Sequence, residues 1–576
     1  MMKPYTLFVA AICFALPTSP SYAEGRDTSV KTAMAESPSA LVNAVVKPAF
    51  LLPDNYKEVM ETSLAPFVYD AYLPQIKQVL DEEKDPRNLI NADEIEGYSK
   101  VLQSIAEQSK ADGEILWGRI QGTKYERQAL RWIESQLKGM SDQLEVHYDS
   151  FESQFPQWRP ILNELTITAG PGLEGSDSWV VPDAITAFLS GITPENGISA
   201  DVIYVGQGTA SELQGRDLAG KIVLLRGSTY PSALMNSSRV AFSRLASGDF
   251  GMPAGVIVWW DTPGVKQVAG RVGAPGGGDA IGKAMPWISI SNDNGMYLRK
   301  MLDRATPENP VKANVKVRGM IESGTDRMSG NVWAKLPGKS GKYIILPTHV
   351  DGYFYGIHDN GASVAMNMAL ANYYANKPIE EREHGIIFMF QGDHEVPGVG
   401  GTVPFVRDNK KFLEESLLMV LRPEHLGLNA FMDERPLFTR SNVTYPLILN
   451  ISNRSPLLLD IFKDAIANYS IPTGDMVLPQ PSADEMGFYP PYNKLDGRQP
   501  IYAGWIQTGT FYHSTADIDL QAINFEAMER IGRAHAYIID ELGNYNLDDL
   551  HKSSKPLDEN ANFYSSDFMK MTLGNW

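Results

Sequence analysis

The sequence has almost no cysteine and too few apolar residues for a multi-span membrane protein, and each shortage excludes a class of protein. The only cysteine among 576 residues is Cys13. It lies in an N-terminal apolar stretch that we expect to be removed. The mature chain would therefore have no disulfide, no thiol nucleophile and no zinc–thiolate site. Apolar residues make up 43% of the chain, as in globular proteins.

The N-terminal residues are typical of an export signal. Lys3 supplies a positive charge, residues 5–16 are apolar but too few to span a bilayer, and Ala23 is a small residue at the expected cleavage point. We therefore predict a signal peptide at 1–23, an exported chain and no membrane span. A periplasmic location suits an exported protein without cysteine, and secretion is the alternative.

Basic residues are scarce relative to acidic ones. Lys and Arg number 51 against 69 Asp and Glu, which leaves a formal net charge of −18. A nucleic-acid surface needs a basic patch, so we predict no nucleic-acid partner. Carboxylates attract divalent cations, although surface acidity by itself accounts for most of this charge.

The spacing of apolar residues changes along the chain. Residues 24 to about 110 have helical spacing, whereas 170–325 are rich in Gly, Pro and short β-type runs. Strands and helices alternate from 331 to 544, which predicts an α/β sheet. A polar tail occupies 546–576.

Polar side chains follow the apolar runs of this α/β region. Residues 343–346 and 385–390 are continuous apolar runs, as expected for strands buried on both faces, and 362–374 would be the helix between them. Ligands of open α/β sheets bind at the carboxyl ends of the strands. In chain order, the polar candidates near these ends are His349, Asp351, Asp359, Asp393, His394, Glu395, Arg422, Glu424, Tyr512 and His513.

Imidazole and carboxylate groups are the ligands of a catalytic divalent metal ion, and one carboxylate can bridge two ions. Two histidines and three carboxylates would give each of two ions three protein contacts if Asp359 is shared. Two such ions would activate water and polarise a substrate carbonyl. We predict two divalent ions, with zinc as the expected metal, held by His349, Asp359, Glu395, Glu424 and His513.

Three motifs resemble those of the co-catalytic zinc aminopeptidase and glutamate carboxypeptidase family. They are His-x-Asp at 349–351, Asp-Asn-Gly-Ala-Ser at 359–363 and Tyr-His-Ser-Thr-Ala-Asp at 512–517. The resemblance implies a three-layer α/β zinc-peptidase domain with a mixed, mostly parallel sheet.

The resemblance also implies how the chain is divided. The peptidase domain would be discontinuous, formed by 113–169 and 326–545. The β-rich module at 170–325 resembles the protease-associated (PA) domain that many members of the family insert, and it would wall one side of the cleft. A helical extension at 24–112 would precede the peptidase domain.

The family's ligand roles map onto matching positions of this chain. His349 and Glu424 would join the bridging Asp359 on one zinc, and Glu395 and His513 would join it on the other. Asp351 would hydrogen-bond His349 and fix its tautomer. The peptide between Asp359 and Asn360 would be the strained one typical of this turn.

The chain departs from the family at the general base. Family members usually carry two adjacent carboxylates where this chain has His394-Glu395, preceded by Asp393. A base for catalysis near neutrality needs a pKa close to the working pH, and an imidazole meets that requirement. We predict His394 as the base, with Asp393 as the alternative. In a third reading, His394 is an extra metal ligand. In a fourth, the site no longer performs ordinary peptide hydrolysis, because its chemistry is altered or lost.

Two further residues have two readings each. Arg422 would bind a substrate carboxylate or form a structural ion pair. Tyr512 would donate a hydrogen bond to a tetrahedral intermediate or serve packing. The leading functional hypothesis is an exported metallohydrolase that cleaves an amide bond in a peptide or an N-acyl amino acid. The alternatives are a non-peptide amidase or cyclase with an altered base and an inactive binding protein, which the intact ligand set disfavours. The sequence predicts no oligomeric state.

Overall fold

A computed structural model describes most of the chain between residues 81 and 553. The gaps within that range are 154–156, 174, 176, 228–240, 242–243, 263, 265, 270–284, 323–327, 396–399, 435–436, 445–446, 452–454, 479–486, 489–499, 508–512 and 518–521. The predicted signal peptide, the extension up to residue 80, Tyr512 and the tail from 554 lie outside the described residues. No helix in the described part is both long and apolar enough to cross a membrane.

Helices and strands alternate through most of the described chain. The first half contains α1 (Ala92–Ala111), β1 (Gly118–Arg119), α2 (Lys124–Met140), β2 (Glu145–Glu152), β3 (Gln157–Ala169), β4 (Trp179–Val180), β5 (Ile185–Thr186), β6 (Ile198–Tyr204), α3 (Ala210–Leu213), β7 (Ile222–Gly227), β8 (Gly255–Trp260), β9 (Trp287–Ile290), α4 (Asn292–Asp303) and β10 (Lys312–Glu322). The second half contains β11 (Met328–Leu336), β12 (Tyr343–His349), β13 (Gly352–Tyr353), α5 (Ala362–Ala375), β14 (Gly385–Gln391), α6 (Thr402–Asp408), α7 (Lys410–Ser416), β15 (Leu417–Glu424), β16 (Asn429–Glu434), β17 (Leu437–Thr444), β18 (Leu447–Ile451), α8 (Pro456–Tyr469), β19 (Thr473–Leu478), β20 (Tyr502–Ile506), α9 (Phe525–Leu542) and α10 (Leu547–Ser553).

The first large sheet has eight strands in the order β19-β18-β20-β15-β12-β14-β11-β2. Its centre is parallel, because β12 pairs with β14 and β15, and β15 pairs with β20. The β11–β14, β2–β11 and β18–β20 pairs are antiparallel. The predicted mixed sheet is therefore confirmed, including the two buried strands and the helix between them.

Both faces of this sheet are covered, which explains the continuous apolar runs. Along β12, Ile344 and Leu346 join a large core cluster that includes residues of α1, α2, α5 and α9. Ile345 points to a second cluster, which contains Phe405 of α6 and Leu413 of α7. Successive strand residues point to opposite faces, so a strand covered on both sides must be apolar throughout.

Helix α1 packs into the same core as the first sheet. The Asn91 side chain accepts a hydrogen bond from the Glu94 N–H and caps the helix, which satisfies a donor that has no partner within it. Ile95, Leu102 and Ile105 are buried against α5 and α9. The described end of the predicted helical extension is thus part of the core.

The second large sheet has the order β4-β3-β10-β6-β7-β8-β9-β5. Strands β6 to β9 run parallel to one another, and β3 pairs antiparallel with β10 along its length. The predicted boundary between residues 169 and 170 falls within this sheet, because the pairing of β3 with β10 places 157–169 in it. The β-rich character of the region is observed, and its likeness to a PA domain stays a prediction.

Candidate metal centre

The five predicted metal ligands lie at the carboxyl-terminal rim of the first sheet. His349 ends β12, Glu424 ends β15 and Glu395 follows β14 by four residues. Asp359 lies in the turn before α5, and His513 follows β20. Neighbouring parallel strands end at the same edge, which is why residues far apart in sequence meet there. All five side chains are buried.

Asp359 lies between the other ligands and presents one carboxylate oxygen to each side. Its Oδ1 is 3.1 Å from His349 Nε2. Its Oδ2 is 3.1 Å from His513 Nε2, which in turn is 2.9 Å from Glu395 Oε1. This is the arrangement expected of a carboxylate that bridges two ions.

The donor set fits divalent ions. Two donors on a tetrahedral zinc, each at about 2.0–2.1 Å, lie roughly 3.3 Å apart, close to the separations around Asp359. Buried carboxylates need a cationic partner or a metal ion. Within the described residues, three overlapping groups have ligand atoms close enough to share an ion: His349 with His394 and Glu424, His349 with Asp359 and His425, and Asp359 with Glu395 and His513.

The turn that carries Asp359 is held by a carboxylate from the last motif. Asp517 Oδ1 accepts a hydrogen bond from the His358 N–H at 2.6 Å, and its Oδ2 accepts one from the Asp359 N–H at 3.1 Å. The peptide bond between Asp359 and Asn360 is cis. Asp517 appeared in the sequence only as part of a motif, and in the structure its carboxylate positions the turn that carries Asp359.

Electrostatics in this cluster follow from burial and crowding. Although burial opposes ionisation of Asp359, positive charge on His425 and contacts from three imidazoles hold the pKa of that carboxyl well below its ordinary value. The pKa of His425 is raised to about 9, because the charges of Asp359 and Glu424 outweigh its burial. Burial raises the pKa of Asp517 to about 7. Burial and the nearby charge of His425 together lower the pKa of His358 to about 3.

Asp351 contacts two predicted ligands, His349 and Glu395, but not with the geometry predicted. His349 Nδ1 lies 3.0 Å from the main-chain oxygen of Asp351 and 3.6 Å from its Oδ1. The Asp351 carboxylate instead accepts a hydrogen bond from the Glu395 N–H at 2.8 Å. The main chain of Asp351 thus orients His349, and its side chain positions the loop of Glu395.

The two candidate bases have different surroundings. The His394 ring stacks on the His349 ring, with centroids 4.1 Å apart and planes inclined by 16°. Asp393 Oδ1 accepts a hydrogen bond from the buried Ser153 hydroxyl at 2.6 Å, and the Asp393 N–H donates to Glu126 at 2.7 Å. His394 therefore lies against a predicted metal ligand, whereas the Asp393 carboxylate accepts a hydrogen bond from Ser153.

Glu126 was not a candidate in the sequence, because one glutamate on an amphipathic helix is ordinarily exposed. It is fully buried, and its second oxygen accepts a hydrogen bond from the Gly122 N–H. Burial, together with the nearby charges of Asp351 and Asp393, raises the pKa of Glu126 well above its ordinary value.

Arg422 is buried in a structural ion pair. Its Nη1 lies 3.2 Å from Glu424 Oε2, and its Nη2 donates to Asn450 Oδ1 at 3.0 Å. This geometry favours the structural reading of Arg422 over substrate binding. Tyr512, the other predicted substrate contact, lies outside the described residues.

A loop of the second-sheet region holds the segment that carries His513. The Ala269 N–H donates to the His513 carbonyl at 2.8 Å, and the Thr515 N–H donates to the Gln267 carbonyl at 3.0 Å. Val268 and Ser514 form an antiparallel bridge between these bonds. His513, a predicted ligand, is thus positioned from outside the first sheet, which no local sequence pattern indicated.

One segment of the first-sheet region matches the model of a known family. Residues 331–425, which include four of the five predicted ligands, match the model described as Peptidase family M28. The resemblance to zinc peptidases is confirmed. No curated protein sequence matches the chain.

Solved structures share the fold of this M28-like chain. An aminopeptidase from Aneurinibacillus sp. strain AM-1 aligns over 82% of this chain and 96% of its own at 18% identity, with a TM-score of 0.50. BSAP, a zinc aminopeptidase from Bacillus subtilis, aligns over 81% and 99% at 16% identity, with a TM-score of 0.53. A peptidase M28 precursor from Shewanella amazonensis SB2B aligns over 80% and 98% at 17% identity, with a TM-score of 0.55. The family match and the common fold support a zinc metallohydrolase of the peptidase kind.

Proposed function

We propose that the protein is an exported two-zinc exopeptidase that cleaves the amide bond after the N-terminal residue of a peptide. The observation that carries this proposal is the position of Asp359, whose two oxygens lie between His349 on one side and the His513–Glu395 pair on the other. One ion would be held by His349, Glu424 and Asp359, and the other by Glu395, His513 and Asp359.

The bound ions would supply Lewis acidity, which lowers the pKa of water and polarises the scissile carbonyl. The residues of the chain supply position and proton transfer. We assign His394 as the group that takes a proton from the attacking water and returns it to the leaving amine. Its support is the contact with the His349 ring, together with the hydrogen bond that the Asp393 carboxylate already accepts from Ser153.

The supporting residues keep the ligands in place before substrate arrives. Asp517 holds the turn of Asp359, Asp351 holds the loop of Glu395, and residues 267–269 hold the loop of His513. Preorganised ligands cost no rearrangement during the reaction. We further propose that the second-sheet region walls one side of the cleft, because its 267–269 loop already contacts the rim.

A second candidate is hydrolysis of an N-acyl amino acid or another non-peptide amide. The observation that favours it is His394 at the position where family members carry a carboxylate. An altered base changes which leaving groups can be protonated, and a different amide substrate would follow from that.

One experiment separates these functions. The purified protein is incubated with a mixture of peptides and N-acyl amino acids, and the products are read by mass spectrometry with and without a chelator. We expect stepwise loss of N-terminal residues that the chelator stops and added zinc restores. Release of fatty or acetyl groups alone would support the second candidate. Turnover that survives complete metal removal would overturn both.

A further inference from the structure

We infer that His425 is itself a metal ligand and contributes a third imidazole to the centre, on the same ion as His349. This inference rests on the proposed two-metal site. The resemblance to zinc peptidases implies that the preceding residue, Glu424, is the ligand. A histidine that follows a predicted ligand in sequence would ordinarily be expected to lie beside the ion without binding it.

The position of His425 mirrors that of a predicted ligand. Its Nε2 lies 2.9 Å from Asp359 Oδ1, the oxygen that is also 3.1 Å from His349 Nε2. On the other side of Asp359, the Oδ2 faces His513, which adjoins Glu395. Asp359 is thus grouped with two other potential ligands on each side, His513 and Glu395 on one and His349 and His425 on the other.

The backbone of His425 is fixed in a conformation that few residues adopt. Its φ of 49° lies in the left-handed region, which is uncommon for a residue other than glycine. Its N–H donates to Asn360 Oδ1 at 3.1 Å, and its carbonyl lies 2.9 Å from His358 Nε2. His358 and Asn360 flank Asp359 in sequence. The turn that carries Asp359 therefore also directs the His425 imidazole towards the Asp359 carboxylate.

Glu424 has only part of its carboxylate available to an ion. Its Oε2 is engaged by Arg422 Nη1 at 3.2 Å, whereas its Oε1 lies 3.5 Å from His425 Nε2. Both side chains are buried. The ion on this side would therefore be shared by Glu424 Oε1 and His425 Nε2, with Arg422 offsetting the charge of the second glutamate oxygen.

A third imidazole changes what the site should bind. Nitrogen ligands suit zinc, copper and nickel, whereas sites of carboxylate and water suit magnesium and manganese. When bound to an ion, the deprotonated His425 imidazole would add a donor without adding negative charge to a rim that already carries several carboxylates. The structure therefore favours nitrogen-preferring ions on the His349 side.

The test is zinc K-edge X-ray absorption on the zinc-loaded full chain, which counts imidazoles through their scattering, together with zinc stoichiometry. Wild type is compared with His425→Gln and with His425→Asp, which keeps a donor. The control is His384→Gln. His384 is a buried histidine just before β14, at the amino end of the sheet, with Ser340 and Leu542 as partners.

We expect the imidazole count per zinc pair to fall by one in His425→Gln, or the variant to lose one of its two ions, with His384→Gln unchanged. His425→Asp should restore the second ion without restoring the imidazole. An unchanged imidazole count with both zincs bound to His425→Gln would overturn the inference and leave the two-zinc proposal intact, with His425 only an ion-pair partner of Asp359. A wild-type chain that binds no zinc would instead remove the proposed function.

Discussion

The two eight-stranded sheets both contain parallel strands, but they carry different residues at their strand ends. None of the nine histidines lies between residues 157 and 322, the span of the second sheet. Among the described residues, every group close enough to share an ion lies at the rim of the first sheet. After β9 of the second sheet, the Ser291 N–H donates to Asp183 and the Ser291 side chain caps α4. Both sheets have an edge where parallel strands end, and the residues at that edge determine whether it can form a catalytic or metal-binding site.

The second-sheet region contributes backbone hydrogen bonds to the candidate centre. Its loop at 267–269 pairs with the segment that carries His513. A metal site depends on the partners that orient its ligands as well as on the ligands themselves. The comparison therefore predicts how much three kinds of substitution impair the centre. Loss of a predicted ligand should have the largest effect, loss of the base a smaller one, and loss of a residue that orients a ligand a smaller one still.

The largest effect should come from Asp359→Ala, which removes the group between both sets of ligands. We expect turnover to fall by roughly 10⁴-fold or more and zinc content to drop, because members of one catalytic unit fail together. Turnover of an aminoacyl anilide and zinc per chain are measured. The matched control is Asp183→Asn in the second sheet, a buried carboxylate that accepts a backbone hydrogen bond. Retention of two zinc ions by Asp359→Ala, or equal losses of turnover in Asp359→Ala and Asp183→Asn, would contradict the difference between the two sheets.

The next effect concerns the base. His394→Ala should lower kcat by about 10²–10⁴-fold with zinc content unchanged, as expected for loss of a positioned proton acceptor. Asp393→Asn should have a smaller effect on kcat, because its carboxylate is already engaged by Ser153. Full turnover of His394→Ala would show that the base is elsewhere. Loss of a zinc ion instead of kcat would make His394 a ligand.

A smaller effect should follow from loss of the support. Ala269→Pro deletes the N–H that donates to the His513 carbonyl. We expect zinc affinity to weaken by about 10–100-fold, the range for loss of a group that orients a ligand. Ala269→Gly keeps the N–H and is the control. Competition with a chromophoric chelator measures both, and equal affinities would mean that the second sheet does not position His513.

The smallest effect concerns stability in mild acid. His535 of α9 is buried, and burial lowers its pKa to about 4. The unfolded imidazole, with a pKa near 6.5, binds a proton that the folded one does not, so stability falls as the pH decreases from 6.5 towards 4. Wild type should lose free energy of unfolding between pH 7 and pH 5, and we expect His535→Gln to make that loss smaller by about 1–2 kcal/mol. Hydrogen exchange, corrected for intrinsic rates, should show this change in α9 but not in β7 and β8. Identical acid sensitivity in variant and wild type would contradict this assignment.

Much of the first sheet could be predicted from the sequence because its signals are local. Continuous apolar runs located β12 and β14, and the polar residues after them identified His349 and Glu395 as candidate ligands. The convergence of all five candidates follows from the geometry of parallel strands, which the alternating pattern already indicated.

Other features depend on contacts between distant segments and left no local signal. Glu126 meets Asp393 only after α2 packs beside β11. Asn450 of β18 reaches Arg422 of β15 across the intervening strand β20. Strand β3 was predicted to belong to the peptidase domain, but it pairs with β10 in the second sheet. Composition indicates that a segment is a strand, whereas the fold decides which strand it pairs with. The hydrogen bonds of residues 267–269 to the His513 segment are of the same kind.

The central claim is that Asp359 joins two metal ions at the rim of the first sheet. Its most direct test is a crystal structure of the zinc-loaded protein with anomalous data collected on both sides of the zinc edge. We predict two anomalous peaks about 3.5 Å apart, one on each side of the Asp359 carboxylate. A single peak, or two peaks of which neither lies within bonding distance of Asp359, would contradict it.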